Sequence, residues 1–330
     1  MLLMRACLLG LVLLLLPGAR LTAADGPSAT TYWDLIHDEA VLADLKLTAS
    51  QRKALREALD PLDLRCFPLR NQSAAEAEQG LLALVSQAQV QLGKILRPQQ
   101  VQRLDQVLLR VQGLEGLLRS DVAEKLSLSE AQRETIAGAV RTAREGKLKL
   151  QREVLAAKRA GAKADEESRR LDTTAWEHAL GALNDDQKRR WMEMIARDFE
   201  ISRLGRTAYK TPELIAPPAT WVNGAPLDPQ ALRGRVVVVH FFAFGCSNCI
   251  HNYPSYRKWQ EELVPRGVQL IGIHTPETSA EHNVETLKGK LQAEQLHFPV
   301  IVDNDKANWE AWGNGMWPSV YVIDKQGYMR

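Results

Sequence analysis

Apolar positions in the N-terminal half of this chain recur at helical spacing. Leu55, Leu59 and Leu62 form one set, Leu81, Leu84 and Val85 a second, and Leu104, Val107, Leu108 and Val111 a third. Recurrence at three and four residues lines up one face of a helix, and the spacing predicts long antiparallel helices over 32–202. Lys158 to Arg170 departs from the pattern; it is charged and weakly apolar and reads as a mobile tip or an exposed stretch of helix. Pro212, Pro217 and Pro218 end the helical pattern and mark 203–220 as a linker. From Val236 the pattern changes to short apolar runs separated by mixed stretches. They predict a strand at 235–243, a helix at 247–263, a strand at 268–273, a helix at 279–294, a strand at 299–303, a short helix at 306–312 and a strand at 319–323. Alternating strands and helices imply a mostly parallel sheet over 221–330. The predicted class is therefore α+β with two domains, all-α then α/β. After the turn Asp324–Gly327, Tyr328-Met329-Arg330 begins a returning strand and stops. That strand is left unfinished, so the chain is a fragment or leaves one apolar face open to a partner or to aggregation.

The helical half contains a duplication. Leu47-Thr48-Ala49-Ser50-Gln51 recurs as Leu128-Ser129-Glu130-Ala131-Gln132, an offset of 81, and Leu96-Arg97-Pro98-Gln99-Gln100 as Leu183-Asn184-Asp185-Asp186-Gln187, an offset of 87. Two copies of one unit account for both. Thr48, Ser129 and Asn184 are good N-caps, and the Gln three residues later completes a capping box. Arg97 is a poor cap, but Pro98 suits the first helical position. The Leu-Thr-x-x-Gln pattern resembles, over a short span, the repeats of Spy/CpxP-like periplasmic helical proteins. That resemblance implies a scaffold or dimerisation role, or client or metal binding.

At 330 residues two domains are expected, and a net charge of +2 gives no reason to expect nucleic acid or an anionic membrane as partner. Residues 1–24 read as a secretory signal: Arg5 gives the positive region, Ala6 to Leu16 the apolar one, and Thr22-Ala23-Ala24 a small-residue cleavage site. An uncleaved membrane anchor is the alternative, and the expected location is periplasmic or otherwise extracytoplasmic. Cys66, Cys246 and Cys249 remain in the mature chain. Export places them in an oxidising compartment, where Cys66 is a buried apolar residue, a free thiol or an intermolecular partner.

The chemistry gathers at Cys246-Ser247-Asn248-Cys249, directly after the run Val236 to Ala243. A strand that ends in Cys-x-x-Cys and opens into a helix puts the first sulfur at a helix N-terminus, where unpaired N–H groups favour a thiolate. The second lies one turn on and can close a disulfide. Sites in such sheets collect at the carboxyl ends of strands, which also gathers His274-Thr275-Pro276-Glu277, Asp303-Asn304-Asp305 and Trp317-Pro318.

With the Cys pair, Ile271 to Glu277, Phe298 to Asp305, Trp309-Glu310-Ala311-Trp312 and Trp317-Pro318-Ser319 in order, residues 213–330 resemble the thioredoxin-like family of the TlpA type, most of all its DipZ-like branch. The resemblance implies a thiol–disulfide oxidoreductase, and also a full last strand and a helix over the sheet, which are missing after Arg330. Cys246 would attack and Cys249 resolve, with no bound cofactor. Pro318 would be a cis-proline facing the disulfide, and substrate backbone would pair with Trp317 before it. His274 and Glu277 are expected at the substrate. Where thioredoxins often carry a buried Asp, this chain has His240, either a proton relay to Cys249 or a buried structural histidine. Trp309 and Trp312 read as core. The implied partners are protein thiol or disulfide clients and an unidentified electron donor or acceptor, and the family leans reductive. A homo-oligomer through the helical domain stays open. Peroxiredoxin chemistry is disfavoured by Ala243 three residues before Cys246, c-type haem by Ile250 after the pair, and zinc by the lack of a second Cys pair. The rival reading is an exported helical chaperone or scaffold with a vestigial redox domain.

Overall fold

The computed structural model describes residues 29–330, and the signal expected over 1–24 lies outside the described residues. Helices α1 (Ala29–His37), α2 (Glu39–Asp44), α3 (Ala49–Cys66), α4 (Ala74–Ile95), α5 (Pro98–Gln112), α6 (Ser120–Lys125), α7 (Glu130–Leu155), α8 (Gly161–Gly181) and α9 (Asp185–Met194) fill the N-terminal half. The duplication is visible in their starts. Helices α2 and α3 recur as α6 and α7 at the offset of 81, and α4 and α5 as α8 and α9 at 87. Each copy builds its own core, one around Leu55, Leu84 and Val107, the other around Leu126, Ile136 and Trp191. The charged stretch Lys158 to Arg170 is mostly the exposed first half of α8.

The repeated glutamines do more than cap. Gln51 receives the Thr48 N–H, as a capping box requires, but its Nε2 also donates to Gln100 Oε1 at 2.8 Å and to the Ile95 carbonyl at 2.9 Å. Gln100 returns a bond to the Leu45 carbonyl at 3.0 Å. In the second copy Gln132 donates to Gln187 at 2.8 Å and to the Ala182 carbonyl at 2.8 Å, and Gln187 to the Leu126 carbonyl at 3.2 Å. Each pair thus ties two helix starts together and occupies the buried carbonyls that precede them.

The C-terminal half is a sheet with strands β1 (Tyr209–Lys210), β2 (Trp221–Val222), β3 (Val237–Phe242), β4 (Gln269–His274), β5 (Val300–Val302), β6 (Ser319–Ile323) and β7 (Tyr328–Met329), in the order β1-β7-β6-β3-β4-β5-β2. Helices α10 (Ser247–Glu262), α11 (Val284–Ala293) and α12 (Ala307–Ala311) connect them. The sheet is mixed rather than mostly parallel. Only β3–β4 and β4–β5 are parallel; the other neighbours are antiparallel. The long helices α10 and α11 carry the chain back along the sheet. Five-residue α12 covers only about 7.5 Å, so the chain re-enters β6 from the edge it has just left. The segment 203–220 is not a bare connection, because it supplies β1, which pairs with β7.

All six residues of β3 are buried. Val238 and Phe242 face α10 and α11, with Tyr256, Leu287 and Leu291. Val237, Val239 and Phe241 face Trp309 and Trp312 of the α12 region, and Phe67 from the helical half. The Phe67 ring meets Trp312 edge-on at 6.2 Å. The face expected to lie open is therefore closed on this side by the helical domain. On the α10 side, Val320 and Val322 of β6 are 42% and 43% exposed.

Around Phe67 the two halves are locked by polar contacts. Asp63 of α3 accepts the Lys210 N–H at 2.8 Å and meets His37 Nε2 at 2.7 Å, both side chains buried. The Tyr328 hydroxyl donates to Asp60 at 3.0 Å. Truncating Phe67 removes an aromatic anchor shared by both halves. Phe67→Ala is expected to cost about 3–5 kcal/mol in urea unfolding, whereas Leu155→Ala, at a solvent-exposed site, should stay within about 0.5 kcal/mol.

Candidate active site

Strand β3 delivers the chain to its carboxyl edge, and the turn Ala243–Gly245 sets Cys246 at the N-cap of α10 with extended backbone, φ −72° and ψ 118°. Cys246 and Cys249 are buried free thiols. Cys246 Sγ lies 4.0 Å from the Trp317 carbonyl oxygen, and the Trp317–Pro318 bond is cis. The strand edge thus brings Cys246, Cys249, Trp317 and Pro318 together. Burial pushes the Cys249 thiol up to about 12, and the adjoining Cys246 and the Glu277 charge act in the same direction against a main-chain hydrogen bond at Ala243. Cys249 is consequently a protonated thiol at neutral pH.

Trp317 is half-buried. Its ring stacks on Trp309 at 4.0 Å and its Nε1 donates to the Thr275 carbonyl at 2.9 Å. Glu277 is exposed beside the thiols. His274, expected at the substrate, is instead fully buried, stacked on Phe244 and edge-on to Phe242, which puts direct contact with a client out of its reach. His240 points to the α10 side and is enclosed by Phe242, Tyr256 and Phe298 at ring distances of 5.2, 4.4 and 4.8 Å. Neither ring nitrogen of His240 or His274 has a hydrogen-bond partner among the described residues. Burial drives His240 down to about 3, and burial with the nearby His282 drives His274 to about 4. Both are neutral imidazoles. Cys66 lies away from this edge, its thiol pushed up to about 12 by burial and then by Asp63. Among the described residues no group of three or more His, Cys, Asp or Glu side chains is placed to hold a metal ion.

Two acidic residues organise the site: Asp303, which the sequence already places at the strand edge, and Glu281, which does not stand out in it. Glu281 is buried; its Oε1 accepts the Gly245 N–H at 2.8 Å and its Oε2 the Glu277 N–H at 2.7 Å. One carboxylate therefore joins the residue before Cys246 to the loop after β4. A Cβ on Gly245 would lie 2.1 Å from that oxygen and would displace the carboxylate. Asp303, which reads from the sequence as a turn, accepts from Thr275 Oγ1 at 2.8 Å and from the N–H groups of Asn308 and Trp309 at 2.8 and 3.0 Å. It fixes α12 and, through Trp309, the platform beneath Trp317. The signal that could have found both is the spacing Glu277 to Glu281 and Asp303 to Trp309 on loops that meet the Cys edge.

The buried histidines give the fold a signed response to pH. In the unfolded chain an imidazole takes up a proton near pH 6.5, whereas the folded protein holds both far lower. Below about 6.5 the unfolded state binds more protons, so stability is lost as pH falls, by about 1.4 kcal/mol per pH unit for each histidine. Urea titrations at pH 7 and pH 5 measure this slope. His240→Phe should remove about 1.4 kcal/mol per unit from it, and an unchanged slope overturns the assignment.

Comparison with known proteins agrees with this arrangement. Residues 209–330 match the AhpC/TSA family. The chain is 33% identical over 113 residues to Protein DipZ of Mycobacterium tuberculosis, which covers 33% of this chain and 16% of that protein. It is 25% identical over 119 residues to thiol-disulfide oxidoreductase YkuV of Bacillus subtilis, 36% of this chain and 79% of that one. Among solved structures, a thiol-disulfide isomerase from Corynebacterium glutamicum is 27% identical, with a TM-score of 0.32, over 36% of this chain and 83% of the other. A strand-edge dithiol facing a cis-proline, on a sheet of this topology, accords with the sequence match: residues 209–330 form an AhpC/TSA-like domain with a thioredoxin-like α/β fold.

Proposed function

We propose that this protein is an exported thiol–disulfide oxidoreductase that reduces protein clients. The observation that carries the reading is the position of Cys246: at a helix N-cap, one turn from Cys249, and 4.0 Å from the carbonyl that precedes a cis-proline. Sulfur at a helix N-terminus is favoured as thiolate and so as nucleophile. Cys246 attacks a client disulfide, one client sulfur leaves as a thiol, and a mixed disulfide forms. Cys249, held protonated until then, loses its proton, attacks the Cys246 sulfur and releases the second client thiol. The pair is left oxidised, and a separate electron donor must reduce it. No cofactor is needed, because the two sulfurs carry both electrons. The relatives named thiol-disulfide oxidoreductases support the class of reaction.

The electrostatics at Cys249 support the reductive direction. A dithiol becomes oxidising when its thiolate form is strongly stabilised. Here the charges that bear on Cys249 are negative, from Cys246 and Glu277, and burial opposes ionisation further. The reduced state gains little, and the disulfide is correspondingly favoured. Export rests on the signal-like residues 1–24; among the described residues no helix is long and apolar enough to cross a membrane.

Two measurements test the proposal. With Cys66→Ser as background, the Cys246–Cys249 couple is expected near or below thioredoxin's potential, about −270 mV. A value near −120 mV, that of a strong oxidant, reverses the direction, and failure to form the disulfide at any potential leaves a helical scaffold. Cys246→Ser should abolish exchange. Cys249→Ser should instead accumulate mixed disulfides, visible as thiol-sensitive adducts by mass spectrometry.

A further inference from the structure

The helical half reaches the site as well as the sheet. After α3 the chain makes a tight turn, Phe67–Asn71. Arg70 Nη2 donates to the Trp312 carbonyl at 2.6 Å and to the Tyr321 hydroxyl at 2.8 Å. The Tyr321 hydroxyl in turn donates a hydrogen bond to Asn314 Oδ1 at 2.6 Å. Gly313 lies against the same turn at φ +59°, and a Cβ there would fall 1.9 Å from the Phe67 carbonyl oxygen. A Cβ on Gly315 would lie 3.4 Å from Asn71 Oδ1. The segment from Trp312 to Asn314 is thus fastened to the first helical copy, and Gly315 passes close by it. It leads directly to the Trp317 carbonyl that faces Cys246.

We infer that Arg70 is a positioning residue for exchange with polypeptide disulfides, holding the loop from Trp312 to Pro318 in the register from which Trp317 presents its backbone to a client. The inference rests on the oxidoreductase reading and extends it across the two halves. A loop with glycines at positions 313 and 315 has wide conformational freedom. The guanidinium supplies two charge-assisted hydrogen bonds that select one arrangement. Without them the competent arrangement is only partly populated, and apparent affinity falls by that fraction. The chemistry at Cys246 is untouched, because Arg70 contacts neither sulfur nor α10. Met316, 70% exposed, and Trp317 then form an apolar lip whose position the helical half sets.

The test compares two disulfides on the full chain, pre-reduced and mixed in single turnover. Insulin presents a polypeptide, and hydroxyethyl disulfide has no peptide backbone to pair with Trp317. Arg70→Met is expected to raise the insulin concentration for half-maximal rate about tenfold. Its maximal rate, and its rate with hydroxyethyl disulfide, should stay within about twofold of wild type. Arg70→Lys should restore the insulin reaction only in part, since the shorter, freely rotating ammonium does not fix both bonds from one planar nitrogen. Tyr321→Phe breaks the same chain without touching Arg70; it should act in the same direction, and it decides the matter if Arg70→Met does not fold. Equal slowing with both disulfides, or no change with either, overturns the inference while the oxidoreductase reading stands. A wild-type protein that reacts with neither disulfide overturns both.

Discussion

Strand β3 has no solvent side, and this one constraint organises the molecule. A strand buried on both faces needs a cover on each. Helices α10 and α11 supply one. Only part of the other comes from the sheet domain itself, through Trp309 and Trp312, and Phe67 from the helical half completes it. The two halves are therefore not beads on a linker. The nominal linker contributes β1, its main-chain N–H bonds Asp63 of α3, and β1 pairs with the strand that bonds α3 again through Asp60.

The same burial tunes the chemistry. Cys249 lies one turn beyond β3 in an apolar setting where a charged sulfur is costly. His240, a strand residue on the α10 face, stays neutral for the same reason. Around this dry centre the two histidines go unpartnered, whereas two buried carboxylates have partners on both oxygens. Glu281 and Asp303 each gather donors from two loops, and in doing so set the approach to Cys246 and the footing of Trp317.

Much of this was legible in the chain. Helical spacing at Leu55, Leu59 and Leu62 and the continuous run before Cys246 give the two classes of domain, since periodicity reports which side of a local element is buried. The repeated Gln51 and Gln132 are readable as caps. Their second role is not, because it depends on partners 49 and 55 residues away. Glu281 reads as a solvated acid in a polar turn, and only the Gly245 N–H, 36 residues upstream, shows otherwise. The mixed sheet was missed because alternation of strands and helices does not report that α12 is too short to carry the chain back. His274 was placed at the client because it shares a segment with Glu277, yet alternation along β4 turns its ring inward.

The contacts that join the halves also set an order of events at the ribosome. Arg70 and the Trp312 carbonyl are 242 residues apart in sequence. At about 5–20 residues per second, Phe67 and Arg70 emerge roughly 12–50 s before the groups that cover them. The helical repeat has two cores of its own and can fold in that interval, leaving an aromatic ring and an unpaired guanidinium displayed on a finished surface. The nascent molecule therefore stays sticky until residues 312–321 emerge, after Cys246 and Cys249, and the last strands to appear find their template already built.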